Sequence, residues 1–194
     1  MQFTGKQIAK NGIVTNFAEG AIQQQGVDVR VDKVFEVYGS GLIPVEGSTT
    51  KCYTNPCTPV KVGNIETFAL SPGYYEVTLM EGCNVVENTS LHFKTRSSLV
   101  RCGATVHSGQ FDAGFNTKQM GCFLDVRRPI RIERGAAIAQ AIVFESYPVD
   151  EENLYNGQWQ NDKQREEQPA EESTATKTAK KKSTRKKKTE EAAA

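Results

Sequence analysis

The sequence predicts an all-β domain of the sandwich or jelly-roll kind, and three observations carry that expectation. Apolar and polar residues alternate through Gly26-Val27-Asp28-Val29-Arg30-Val31-Asp32 and again from Tyr75 to Met80, the two-residue period of a half-buried strand. Turn residues recur between such runs, as in Gly39-Ser40-Gly41 and Ser71-Pro72-Gly73, so the strands are short and closely connected. Helical periodicity is scarce, with one short helical turn expected to begin near Ser97 or Ser98.

Taken in order, the first twenty-five residues end in Ala21-Ile22-Gln23-Gln24-Gln25 and have no decisive period. The strand from Gly26 continues through Val34, Phe35 and Val37. From Gly39 to Asn64 the chain is rich in Gly, Pro, Thr and Ser, which reads as a long excursion that can fold back as a hairpin. Phe68-Ala69-Leu70 ends a strand before the turn at Ser71-Pro72-Gly73. Tyr75, Val77 and Leu79 define one face of the next strand, and Val85-Val86 and Leu91-His92-Phe93 suggest shorter ones. Cys122-Phe123-Leu124, Ile130-Arg131-Ile132 and Ile138 through Phe144 supply further strands, the last entered by a turn at Gly135.

The 194 residues suffice for one sizeable core with a tail to spare. The formal net charge of +1 conceals a basic excess in the last thirty residues. Residues 1–160 are expected to form the domain and 161–194 a disordered basic tail, because the segment rich in Glu, Ser, Thr, Ala and Lys has little to bury. The dense Lys/Arg run from Lys177 to Lys188 is either a solvated terminus or a non-specific nucleic-acid contact. No run of eighteen apolar residues suggests a membrane span, and the N-terminus lacks the blocks of a signal peptide. Five cysteines without such a signal favour free thiols and a cytoplasmic setting, or a host's cytoplasm for a viral chain. Cys52 and Cys57 form the closest pair; without a nearby His or second pair they read as free loop thiols before they read as a zinc site.

The chemistry concentrates between Leu70 and Gln140. Arg96-Ser97-Ser98-Leu99-Val100-Arg101 sets two guanidinium forks beside two hydroxyls, groups suited to phosphate oxygens. Ser97 and Ser98 are equally suited to capping a short helix. In Gly109-Gln110-Phe111-Asp112-Ala113-Gly114-Phe115 a carboxylate stands between glycines. Asp112 is either a base that takes a proton from water or a turn-forming Asp bonded to its own backbone. The chain has two histidines, His92 and His107, and neither lies in a nucleophile-elbow context.

Leu70-Ser71-Pro72-Gly73-Tyr74-Tyr75-Glu76-Val77-Thr78-Leu79-Met80-Glu81, followed by Arg96-Ser97-Ser98-Leu99-Val100-Arg101-Cys102-Gly103, resembles the trimeric dUTPase and dCTP deaminase superfamily. Gly26-Val27-Asp28, Phe111 to Phe115, Ile138-Ala139-Gln140 and Tyr155-Asn156-Gly157-Gln158 extend the resemblance in order from about Gly26 to Gln160. The resemblance implies a dUTPase-like jelly roll, or β-clip, assembled as a homotrimer with active sites between subunits. Its substrate would be a deoxypyrimidine nucleoside triphosphate held with Mg²⁺. By the same resemblance Asp28 helps organise the metal–phosphate network. Arg96, Ser97, Ser98, Arg101, Gln110 and Gln140 belong to the substrate site, Phe115 packs under the deoxyribose, and Tyr155 to Gln158 form a terminal lid. Asp28 also reads as a strand-face charge, Phe115 as core, and Tyr155 and Trp159 as surface residues.

Two chemistries divide that superfamily. The deaminases place a Glu on the strand after the Asp turn as proton shuttle; here an ungapped count puts Cys122 there, and a shifted register brings Asp125 nearby. No Glu occurs between Met120 and Ile132. The zinc deaminase motif is also absent. The expected activity is therefore hydrolysis of dUTP to dUMP and pyrophosphate, with Asp112 orienting the water. The alternatives are a dCTP deaminase, a bifunctional deaminase/dUTPase, or a catalytically weak nucleotide-binding regulator. The lid-like segment resembles the deaminase style more than the Gly-rich dUTPase style.

Overall fold

The computed structural model describes residues 1–157 and 160–162. Its elements in chain order are α1 (Gly5–Lys10), β1 (Val14–Thr15), β2 (Val27–Tyr38), β3 (Tyr53–Pro56), β4 (Val60–Val62), β5 (Ile65–Leu70), β6 (Gly73–Leu79) and β7 (Gly82–Asn84). Then come β8 (Thr89–Thr95), α2 (Ser97–Arg101), β9 (Ala104–His107), β10 (Asn116–Thr117), β11 (Gly121–Val126), β12 (Ile130–Glu133) and β13 (Ala137–Glu145). Short 3₁₀ turns follow at Glu151–Asn153 and Gln160–Asp162. The expected all-β class holds. Gln158, Trp159 and residues 163–194, which include most of the anticipated basic tail, lie outside the described residues.

The main sheet runs β8-β13-β2-β6-β11-β9, with β3 added to the distal half of β2. Its two ends approach one another: the Thr95 hydroxyl accepts from the Val106 amide at 3.0 Å and donates to the Val106 carbonyl at 3.3 Å. This near-closure makes the sheet barrel-like and protects edges that would otherwise present open backbone groups. Smaller sheets, β1-β7-β10 and β12-β5-β4, cover its flanks.

β2 is the axial strand, and its burial differs from the half-buried expectation. Val27, Val29 and Val31 are fully buried, each stabilising the fold by roughly 1.5–3 kcal/mol. The polar face of the same segment is also covered. Asp28 and Asp32 are each only 7 % exposed, and every polar residue on that face has a partner. Arg30 Nε donates to Glu81 Oε1 at 2.6 Å, its amide donates to Glu81 Oε2 at 2.7 Å, and Glu81 is wholly buried. Asp32 Oδ1 accepts from Arg134 Nη2 at 2.6 Å, and its Oδ2 accepts from Gln119 at 3.1 Å. Buried charges persist only when paired in this way. Alternation in the sequence located the strand but not the second layer above it.

Three local expectations are refined. The N-terminal segment contains α1, begun by a capping box in which the Thr4 hydroxyl accepts from the Gln7 amide at 3.3 Å and the Thr4 amide donates to Gln7 Oε1 at 2.8 Å. Thr4-Gly5-Lys6-Gln7 was a readable signature for this helix. Val85-Val86 is not a strand; the strand of that region is β7, three residues long. The excursion from Gly39 to Asn64 folds back as a hairpin, with β3 antiparallel to the end of β2 and Leu42 bridged to Thr50, and then carries β4, which pairs with β5. Cys52 and Cys57 fall at opposite ends of β3, about 16 Å apart by strand rise, too far for a shared metal or a disulfide. None of the five cysteines forms a disulfide.

Candidate functional site

The polar cleft is built on adjacent strands. Gln140 of β13 pairs in register with Asp28 of β2 on one side and with Lys94 of β8 on the other. Directly opposed residues share a sheet face, so one row of the sheet presents a Lys, a Gln and a carboxylate side by side. β8 then turns into α2, and Arg96 occupies the cap position with extended dihedrals (φ −68°, ψ 139°). Gln23, Asp28, Lys94, Thr95, Arg96, Ser97 and Gln140 together line a cleft of ≈ 250 Å³.

Asp28 is the hub of the cleft. Its Oδ2 accepts from Gln23 Nε2 at 3.2 Å and faces Arg96 Nη1 at 3.4 Å, and its Oδ1 accepts from Gln140 Nε2 at 3.5 Å. Gly26 makes the arrangement possible, because a Cβ there would stand 2.5 Å from Gln140 Cγ and 2.6 Å from the Ala141 carbonyl oxygen. Neither serine hydroxyl caps α2, and Ser97 reaches the cleft. Ser98 and Arg101, both exposed on α2, do not line it. Sequence reasoning missed Gln23, Lys94 and Thr95. Gln23 sits in the segment of indecisive period; the dipeptide Lys94-Thr95 immediately before Arg96 was the available signal.

A second cluster lies around the glycine-bracketed turn. Phe111 bridges Leu91, each amide donating to the other's carbonyl at 3.0 Å. The Phe115 amide donates to the Asp112 carbonyl at 3.0 Å, closing the turn over Ala113-Gly114. Gly114 has φ +87°, a backbone that residues with a Cβ resist. The Asp112 carboxylate is exposed and accepts one hydrogen bond, from Gln110 Nε2 at 2.9 Å. The Asp112 backbone thus closes the turn, but its carboxylate makes no bond to its own backbone and stands open to water.

Phe115 is 9 % exposed and belongs to a run of rings from Phe93 through Phe111 to Tyr155, with centroids 5.0 to 5.5 Å apart. The core reading of Phe115 is correct for this chain alone. Tyr155 folds back on the turn, donating its amide to the Ala113 carbonyl at 2.8 Å. Gln160, also missed from the sequence, donates to the Gly114 carbonyl at 2.8 Å and accepts from the Asn116 amide at 2.9 Å. The predicted lid residue Gln158 lies outside the described residues.

The two clusters lie along the same strand, β8: the Phe111 ring packs edge-on against Phe93, the residue before Lys94 of the cleft. Phe111 pairs with Leu91, whereas Arg96 lies five residues farther along the same chain direction, roughly 16 Å by strand rise. Asp112 does not line the phosphate-like cleft.

The position expected to carry a deaminase shuttle is inert. Cys122 is 2 % exposed, paired with Val77 in the core, and its thiol is pushed up to about 12, by burial first and by Glu76 second. Asp125 sits on the alternate, outward face of β11 and is held by Arg127 Nη2 at 2.7 Å and Nε at 2.8 Å.

Among the described residues no cluster of three or more His, Cys, Asp or Glu could enclose a metal ion. The cleft has one carboxylate, Asp28, already engaged by amides and a guanidinium. That donor set fits Mg²⁺ arriving with a polyphosphate, since Mg²⁺ takes most of its six ligands from phosphates and water.

These features define an all-β protein whose main sheet nearly closes on itself and carries a polar cleft. The fold resembles the crystal structure of 2′-deoxycytidine 5′-triphosphate deaminase from Agrobacterium tumefaciens, with TM-score 0.55 and 17% identity, over 73% of this chain and 47% of that one. The chain therefore spans about half that structure's length, and the likeness is one of fold. The chain belongs to the dCTP deaminase-like family, whose model matches residues 2–147. It is 34% identical over 148 residues to the "Probable deoxyuridine 5'-triphosphate nucleotidohydrolase" of Halobacterium salinarum, covering 75% of this chain and 87% of the relative. It is 32% identical over 155 residues to the deoxyuridine 5'-triphosphate nucleotidohydrolase of Methanocaldococcus jannaschii, covering 79% and 97% respectively. No helix among the described residues is long and apolar enough to cross a membrane.

Proposed function

We propose that this protein hydrolyses dUTP to dUMP and pyrophosphate. The observation that carries the reading is the Lys94–Gln140–Asp28 row with Arg96 and Ser97 above it, a phosphate-sized polar cleft in a chain whose relatives bear that activity in their names. Arg96, Ser97 and Gln140 hold and orient phosphate oxygens through charge-assisted and neutral hydrogen bonds. Asp112 accepts a proton from a water whose oxygen attacks the α-phosphorus, and the bond to the β-phosphate bridging oxygen breaks. Mg²⁺, when bound with the nucleotide, neutralises charge on the phosphates; Asp28 holds the surrounding network in register.

Because Asp112 does not line the Arg96 cleft, we place the complete site between subunits of a homotrimer, where the turn of one protomer faces the cleft of another. Ser98, Arg101 and Gln110 support the site from its rim, and Phe115, with Tyr155 and Gln158, closes the sugar side. The buried, neutral Cys122 in place of a shuttle carboxylate favours hydrolysis over deamination. Cysteines without disulfides suit the reducing cytoplasm. Residues 1–160 form the nucleotide-binding domain, and the Lys-rich 161–194 makes a non-specific nucleic-acid contact.

The test is a product assay with Mg²⁺ on the purified chain, offering dUTP and dCTP separately. Pyrophosphate and dUMP from dUTP, with dCTP unchanged, is the expected result, and a chain ending at residue 162 should give the same products. Ammonia released from dCTP would overturn the hydrolase reading.

A further inference from the structure

Arg96 is the cation that the sequence motif brings forward, yet it faces Asp28 at 3.4 Å and the two charges compensate one another. Lys94 is different. It is exposed, it lines the same cleft, and it has neither an ion pair nor a hydrogen bond among the described residues. An unpaired exposed lysine is ordinarily a solvated surface charge. This one is fixed by register: it stands directly across from Gln140, which stands directly across from Asp28, so its side chain leaves the sheet on the cleft face. With Asp28 and Arg96 mutually neutralised, Lys94 supplies the net positive charge of the cleft. A polyanion entering there meets a compact, rotatable ammonium with three donors and no competing partner.

We propose that Lys94 is a further substrate-binding residue that donates to a phosphate oxygen of the nucleotide; this deepens the phosphate-site reading above and rests on it. Lys94 draws the triphosphate into the cleft, and Arg96, tied to Asp28, orients it. The lysine makes its contact equally in the ground and transition states, so its removal raises KM more than it lowers kcat.

The experiment measures binding of α,β-imido-dUTP to the full chain with Mg²⁺ by calorimetry, with inorganic tripolyphosphate as competitor. Lys94→Gln is expected to weaken both the analogue and tripolyphosphate by about tenfold, the effect of one charge-assisted hydrogen bond, while Lys94→Arg retains affinity. Unchanged affinity in Lys94→Gln would overturn the assignment. So would a loss confined to the analogue, which would mean a contact to the nucleoside. If the unaltered chain binds the analogue but does not turn over dUTP, the proposed function fails while the same affinity ratios still decide Lys94. If the unaltered chain does not bind the analogue, both readings fall.

Discussion

The cleft beneath Arg96 and the turn bearing Asp112 are constructed in opposite ways. In the cleft, Asp28, Gln140 and Lys94 are placed by the ladder of three neighbouring strands, and Asp28 is 7 % exposed with three polar neighbours. In the turn, Asp112 is exposed, and one hydrogen bond from Gln110, two residues away, holds its carboxylate. Rigid strands give a recogniser that is formed before ligand arrives, which lowers the ordering cost of binding. A carboxylate on a turn is positioned well enough to be steered, but it is completed by whatever packs against it. The difference is that the cleft is built by strand pairing within one chain, whereas the Asp112 carboxylate is left open to solvent.

The most severe way to break the comparison is Asp112→Asn. It should lower kcat for dUTP by about 10²–10⁴-fold, the worth of a positioned general base, while the Kd for α,β-imido-dUTP stays within about twofold. Parallel loss of binding and turnover would mean that the turn also builds the recogniser. Next is Gly114→Ala. The left-handed backbone, together with a Cβ only 2.9 Å from Leu154 Cβ, should cost about 1–2 kcal/mol in urea unfolding and loosen the Tyr155 segment. Tripolyphosphate affinity should survive that change, because the cleft does not touch Gly114.

The smallest effect is a control on β11. Because burial penalises the thiolate, Cys122 stays a neutral thiol up to about pH 12 in the folded chain. Iodoacetamide at about pH 9 should therefore label the exposed Cys52 and Cys102 and leave Cys122 unmodified, as read by peptide mass mapping. The sign follows for stability as well: a raised thiol favours the fold below its ordinary value of 9.0, and that contribution is lost as pH rises toward about 12. Ready labelling of Cys122 at native pH would show that β11 opens, and it would reopen the question of what occupies the shuttle position.

Much of this was legible in the chain. The alternation from Gly26 to Asp32 located β2, Ser71-Pro72-Gly73 located the turn into β6, and Arg96-Ser97-Ser98 located the mouth of the cleft. Gln140 and Asp28 were each singled out as residues of the site. That they oppose one another was not legible, because register between segments more than a hundred residues apart is set by the whole sheet. Lys94 escaped for the same reason: between Phe93 and Thr95 it looks like any solvent-facing lysine.

The sequence by itself determined the all-β class, the order of the strands along the chain and the presence of a phosphate-like constellation. Local patterning is sufficient for those, since a two-residue period and a turn residue act over a few positions. Only the tertiary structure decided which polar groups share a face, which carboxylate is buried and which is free, and that Arg96 is already paired while Lys94 is not. Those outcomes depend on long-range strand pairing, where a shift of one residue sends every side chain to the other face of the sheet.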